Sequence, residues 1–180
     1  MKTFAKLFMM AAVLVAGHAQ AAFIDAYAVN KWTQTINGGS INTSGAPNSV
    51  VLTSSNNGGG SKNQDFTITA AASGVVSFNW SYVTSDTDGS FYDPFGFLLN
   101  NTFTKLTTDG LFSQSGSFIL NVVASDVFGF RANSFDSAFG AATTTITNFN
   151  GPSSVPVPGA LWLVGAPLLS LLTRRKKAKA

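Results

Sequence analysis

The sequence predicts an all-β fold: a single antiparallel β-sandwich, jelly-roll-like or immunoglobulin-like, carried between a signal at each end of the chain. Three observations lead there. Apolar residues recur with a period of two in several short stretches, which places alternate side chains on opposite faces of a strand. Clusters of Gly, Asn, Ser and Asp separate these stretches every ten residues or so. Before the C-terminal region no window carries sustained helical spacing, and no internal repeat is visible.

Residues 1–21 read as a secretory signal peptide. Lys2 and Lys6 lead, an apolar stretch over 7–17 follows, and Ala19-Gln20-Ala21 offers small residues for cleavage. The cut is expected between Ala21 and Ala22, or one residue to either side. The exported domain then spans 22–150. A first strand is expected over 24–32, followed by a turn at Asn37-Gly38-Gly39. Val50, Val51 and Leu52 form a short apolar run before a loop over 54–61. Phe66, Ile68 and Ala70 alternate with Thr67 and Thr69; Val76, Phe78, Trp80 and Tyr82 alternate with Ser77, Asn79 and Ser81. Phe118, Leu120 and Val122 alternate with Ile119, Asn121 and Val123, a strand apolar on both faces at its ends. Phe128 and Phe130, then residues 143–149, complete the set. Trp80, Tyr82, Phe95, Phe97, Phe128 and Phe130 are candidate core, since aromatics at strand spacing usually are; an exposed aromatic pair would instead offer a platform for stacking sugars. Residues 151–154 read as a linker and 155–180 as a C-terminal signal.

The formal charge of +3 is set by the two ends of the chain. Between them, Lys31, Lys62, Lys105 and Arg131 stand against all eight acids, so the exported segment is near −4. Its few basic residues are scattered and make no footprint for DNA or RNA; nucleic acid is not an expected partner. The chain has no cysteine, so burial rather than disulfides must hold a domain of this size together. The one histidine, His18, lies in the signal peptide, and there is no glutamate. That excludes the usual Ser-His-Asp and Cys-His nucleophiles and zinc sites built on imidazole or thiolate. Two aspartates could still serve a glycosidase, but no two are clearly paired by the sequence. The Gly58-Gly59-Gly60-Ser61-Lys62 run lacks the order of a phosphate loop and reads as a flexible connection. The chain is expected not to be an enzyme.

The densest polar constellation is Ser85-Asp86-Thr87-Asp88-Gly89-Ser90-Phe91-Tyr92-Asp93-Pro94. Asp86 and Asp88, with Gly89 allowing a sharp turn, would point two carboxylates at one Ca²⁺, and Asp93 would close the site, because Ca²⁺ takes flexibly placed hard oxygen ligands. The spacing after Gly89 is not that of an EF-hand. Ordinary turn chemistry, with each aspartate bonding its own backbone, explains the same residues.

The last part of the chain has three pieces. Val155, Pro156, Val157, Pro158 and Gly159 form a short motif, an apolar helix is expected over 160–172, and a basic tail over 174–179 includes Arg174, Arg175, Lys176 and Lys177. Residues 155–172 contain no ionisable side chain and would make roughly 27 Å of helix, just short of a hydrocarbon core of about 30 Å. The basic end would stay cytoplasmic and the chain before it outside. This layout resembles the PEP-CTERM sorting signal of Gram-negative bacteria, in its variant with an aliphatic residue between the prolines. The resemblance implies an exosortase as membrane partner, cleavage at the motif, and passage through the inner membrane to the cell surface or the extracellular exopolysaccharide matrix of a biofilm. A plain C-terminal anchor is the alternative reading of the same residues.

The block from Phe78 to Phe149, with Phe78-Asn79-Trp80-Ser81-Tyr82, Tyr92-Asp93-Pro94-Phe95-Gly96-Phe97 and Phe128-Gly129-Phe130-Arg131, resembles the ectodomain of many PEP-CTERM proteins. In layout it is also similar to CUB-type jelly rolls, in which a Tyr-Asp pair helps bind calcium; that resemblance would carry the role to Asp93. Two functions are thereby expected. One is an exported structural or interaction protein of the surface or matrix. The other is a carbohydrate-binding module supported by Ca²⁺ at Asp86, Asp88 and Asp93.

Overall fold

The computed structural model describes residues 22–153. The signal peptide with Ala21, the sorting motif, the helix over 160–172 and the basic tail lie outside the described residues. Among the described residues no helix is long and apolar enough to cross a membrane.

Alternation in the sequence becomes alternation in burial most clearly in Gly74–Thr84. Val76, Phe78, Trp80, Tyr82 and Thr84 face inward, while Asn79, Ser81 and Val83 face water. Ten strands form in all: β1 Thr33–Thr35, β2 Ser40–Asn42, β3 Ser49–Thr53, β4 Lys62–Thr69, β5 Gly74–Thr84, β6 Phe95–Leu99, β7 Thr102–Lys105, β8 Ser113–Val122, β9 Val127–Ser134 and β10 Ala142–Asn150. They make two five-stranded sheets, ordered β1-β4-β9-β6-β7 and β2-β3-β10-β5-β8, with every pairing antiparallel. The expectation of an antiparallel β-sandwich is met.

The sheets face each other across an aromatic core. Phe78 from one meets Phe130 from the other edge to face at 4.8 Å, and Trp80 meets Phe95 at 5.8 Å. Tilted and edge-to-face pairs add about 0.5–1.5 kcal/mol each beyond the area they bury. The six aromatics expected in the core are all buried, so none of them offers a sugar platform. Arg131 and Asp65, opposite each other on β9 and β4, form a two-pronged ion pair at 2.6 and 2.7 Å.

Residues 24–32 are a correction. In place of a strand there are two 3₁₀ turns, Asp25–Tyr27 and Val29–Lys31. Phe23, Tyr27 and Trp32 are the buried side chains, at spacings that no strand could turn to one face, and Asp25 takes a left-handed φ of 50°. The segment caps the core: Trp32 stacks on Phe66 at 4.4 Å, and its indole nitrogen donates to the Tyr27 carbonyl at 2.9 Å. The loop expected at 54–61 is present. The strand expected around 118–123 starts earlier, at Ser113, and ends at Val122; Ile119 is exposed because it points to the outer face of its sheet, and Val123 lies beyond the strand's end.

The strand directions sort the connections into two poles. At the upper pole lie 36–39, 54–61, 85–94, 106–112 and 135–141, beside the pairs Thr84↔Ala142, Lys62↔Ser134 and Val83↔Ser113. At the lower pole lie the short turns and both described ends of the chain. There the Phe23 amide donates to the Pro47 carbonyl, and the Tyr27 hydroxyl donates to the Pro152 carbonyl at 2.6 Å, holding the chain to the domain as far as Pro152.

Candidate functional site

Three upper loops close over a group of carboxylates. Gly58 and Gly60 donate to the carbonyls of Ser137 and Asp136, Ser137 Oγ donates to the Gly60 carbonyl, and Ser85 donates to the Ala141 carbonyl. Gly140 is needed at this junction. Its φ is 142°, and a Cβ there would stand 2.4 Å from the Asp86 backbone nitrogen.

Asp86 is sealed from water. Its Oδ1 accepts the Asp88 amide at 2.7 Å, its carbonyl accepts the Gly89 amide, and its Oδ2 has no partner. This is the turn bonding expected of an aspartate here, but it employs only half of the carboxylate. Asp93 is 1 % exposed and both of its carboxylate oxygens are without a partner. The backbone around Asp93 is fixed: its carbonyl accepts the Tyr82 hydroxyl at 2.9 Å. Ser54 Oγ and Ser134 Oγ each accept a backbone amide, from Ala142 and Ser137, leaving their protons free. Neither completes a hydrogen bond to Asp93, though both stand near enough to favour its charged form.

Electrostatics at this pole disfavour negative charge. Burial pushes the Asp93 carboxyl up to about 6; the hydroxyls of Ser134 and Ser54 pull it down, and Asp86 and Asp136 push it up further. Burial also raises Asp86, against the Asp88 amide, with Asp136 and Asp88 adding repulsion. Burial raises the Tyr82 hydroxyl as well. A buried, incompletely bonded carboxylate in such company needs either a proton or a cation.

Of the three aspartates expected to act together, the structure brings together Asp86 and Asp93. Asp88 is exposed and contributes its backbone amide to Asp86 rather than a third inward carboxylate. Asp136, half-buried on the 135–141 loop, stands close enough to raise both. Among the described residues no three acidic side chains converge as a ready-made metal cluster. Ligation would therefore draw on hydroxyls, backbone carbonyls and water as well. Asp126 lies at the other pole, half-buried, with one carboxylate oxygen accepting from Asn100 and the other from the Val123 amide.

The upper pole also carries exposed aromatics. Among the described residues all four exposed phenylalanines lie there: Phe91, Phe112, Phe135 and Phe139. Phe139 is 72 % exposed and holds φ at 63°, a conformation costly for a bulky residue. A cleft of about 430 Å³ opens between the 85–94 and 106–112 loops, lined by Asp88, Phe91, Tyr92, Asp109 and Gly110. Phe91 rests edge-on against Tyr92 at 4.9 Å, and Lys105 Nζ meets Asp109 at 2.7 Å on the surface. Sequence reading did not single out Asp109 or Phe91; Asp109-Gly110 was the available turn signal, but its partner loop is set only by tertiary structure.

The class this defines is the two-sheet antiparallel β-sandwich with its long loops gathered at one end. No protein-family model matches the sequence, nor does any curated protein. Solved structures of similar form include a family 35 carbohydrate-binding module from Clostridium thermocellum, at 12 % identity over 66 % of this chain and 92 % of that one, with a TM-score of 0.38. A family 35 module from an environmental isolate matches at 9 % identity over 68 % and 93 %, with a TM-score of 0.39. The N-terminal cellulose-binding domain of Cellulomonas fimi β-1,4-glucanase C matches at 12 % over 71 % and 91 %, with a TM-score of 0.36. Likeness at this distance leaves the site to be argued from its own residues.

Proposed function

We propose that this chain is an exported, non-catalytic carbohydrate-binding module of the jelly-roll kind, displayed at the cell surface or in an exopolysaccharide matrix, with its upper pole organised by Ca²⁺. The observation that carries the reading is the set of three unpartnered, buried carboxylate oxygens on Asp86 and Asp93, beneath the only pole that presents exposed phenylalanines among the described residues. Leaving such oxygens bare costs several kcal/mol at neutral pH, and a hard, flexibly coordinated cation relieves it. Asp86 and Asp93 would hold the ion, with the Ser54 and Ser134 hydroxyls and Asp136 nearby.

Calorimetric titration of the metal-stripped protein with Ca²⁺, paired with thermal unfolding, tests this. At 100-fold excess over Kd, binding to the folded state alone contributes about 2.7 kcal/mol, which for a domain of this size raises Tm by roughly 10 °C. Asp93→Asn should abolish both the heat and the shift. A wild-type protein with neither would overturn the calcium reading.

Delivery follows from the C-terminal signal read in the sequence. An exosortase would cleave near Val155, Pro156, Val157, Pro158 and Gly159 after export through the inner membrane. Exit of the described chain from the lower pole supports this arrangement, since a tether there leaves the upper pole facing away from the membrane. Intact mass spectrometry of the protein from membranes and medium of the native host is the check. A species ending within 155–159 is expected; a chain found only in membranes and intact to Ala180 would leave a plain anchor in its place.

A further inference from the structure

We infer that the cleft between the 85–94 and 106–112 loops is the sugar-binding subsite, and that it takes a neutral pyranose unit of a polysaccharide. The inference rests on the carbohydrate reading and gives it a location and a ligand class. Its volume lies within the roughly 300–1,000 Å³ of small-molecule sites. Phe91 supplies an apolar face half open to water and is held edge-on by Tyr92, so little side-chain freedom is lost when the C–H face of a sugar stacks on it. Asp88 and Asp109 face the same cleft, and carboxylates are the acceptors that pair with adjacent sugar hydroxyls. Lys105 holds one oxygen of Asp109, leaving the other oxygen and further ammonium protons for the ligand. Gly110 contributes no side chain and has open space where a Cβ would be, so a ring can approach the backbone.

The walls are braced before any ligand arrives. Ser90 donates its amide to the Leu111 carbonyl at 3.2 Å and its hydroxyl to the Thr108 carbonyl at 2.6 Å. Gln114 Nε2 donates to Ser90 Oγ and to the Thr108 carbonyl, while its Oε1 accepts the Thr108 amide. Gly89 presses so closely on Gly110 that a Cβ would stand 2.7 Å from the Gly110 carbonyl carbon. The same turn reaches the buried carboxylates, because the Asp88 amide is bonded to Asp86. Charge sets the ligand class: Asp88 and Asp109 outweigh the one ammonium of Lys105, so the mouth, in an exported segment of net charge near −4, stays negative, repels uronates and sulfated sugars and admits neutral ones.

Affinity electrophoresis of the purified protein with saturating Ca²⁺ tests this in gels containing galactomannan, xylan, mixed-linkage β-glucan or dextran, with alginate as the acidic probe. Retardation by at least one neutral polysaccharide and none by alginate is expected. Phe91→Ala should weaken that binding at least tenfold and Asp109→Asn about fivefold, Phe91→Tyr should retain it, and all three should keep the calorimetric Ca²⁺ signal. Unchanged retardation of Phe91→Ala would overturn the cleft while leaving the carbohydrate reading in place. Retardation by alginate alone would overturn the neutral ligand class. No retardation of the wild type in any gel, with the Ca²⁺ heat intact, would overturn the cleft and the carbohydrate reading together.

Discussion

Asp93 and Asp126 are the same residue type at opposite poles of one sandwich, and their surroundings treat them in opposite ways. At the lower pole Asp126 is half-buried, accepts from Asn100 and from the Val123 amide, and is held below the usual carboxylate range, with Asn100 the larger cause. At the upper pole Asp93 is buried, its oxygens are unpartnered, and burial lifts it to about 6. The lower pole is closed by packing: Phe23 stacks on Phe149 at 4.8 Å, and Trp32 and Tyr27 meet Phe149 edge-on. The upper pole is closed by loops that leave polar groups waiting. One end of the fold is finished by its own sequence and the other requires something from solution.

The largest expected effect tests the finished end. Trp32→Ala removes the ring stacked on Phe66 and should cost about 3–5 kcal/mol in urea unfolding, through lost burial and the cavity left behind. A loss below about 1 kcal/mol would mean that the lower pole is not held by this packing. The next effect separates the poles by pH. The ordinary aspartate value is 3.8, and folded Asp93 stands at about 6, so between these values the folded state binds more protons than the unfolded one. Stability of the metal-free protein should therefore fall as pH rises through that window, by about 2–3 kcal/mol from this one group. Asp126 acts with the opposite sign: its contribution is present above the unfolded value and is lost as pH falls. Ca²⁺ should reverse the upper pole's trend, because the ion competes with the proton. Asp93→Asn should flatten the metal-free profile and remove the Ca²⁺ response. Metal-free stability that rises between pH 4 and 6, with Asp93→Asn unchanged from wild type, would show that the two poles do not differ in this way.

The strands most legible in the sequence were those buried on one face only; β9, buried on both, was marked by Phe128 and Phe130 alone. Val76, Phe78, Trp80 and Tyr82 alternate because the outer side of β5 meets water, and the same holds for Phe66 and Ile68 on β4. β6 showed only Phe95 and Phe97 at strand spacing, because Gly96 and Leu98 are buried as well, with Gly96 pressed against β7. β1, β2 and β7 are short, mostly exposed strands with no apolar period to detect. The 24–32 segment misled because its aromatics plug the end of the sandwich instead of lining a sheet. At the site, the spacing of Asp86 and Asp93 was legible. The outward turn of Asp88 and the approach of Asp136 and Asp109 were not, since those depend on how separate loops meet.

The position of β10 has a mechanical consequence. It is the last strand before the chain leaves the lower pole, and it runs in the middle of its sheet between β3 and β5. When a tether holds the C-terminal side and a ligand pulls at the loops, the load runs lengthwise along β10. The ladder bonds on both of its flanks then share that load in shear, together, instead of opening one after another like a zip. Under the tether proposed above, the domain would therefore resist pulling along its long axis better than pulling across it.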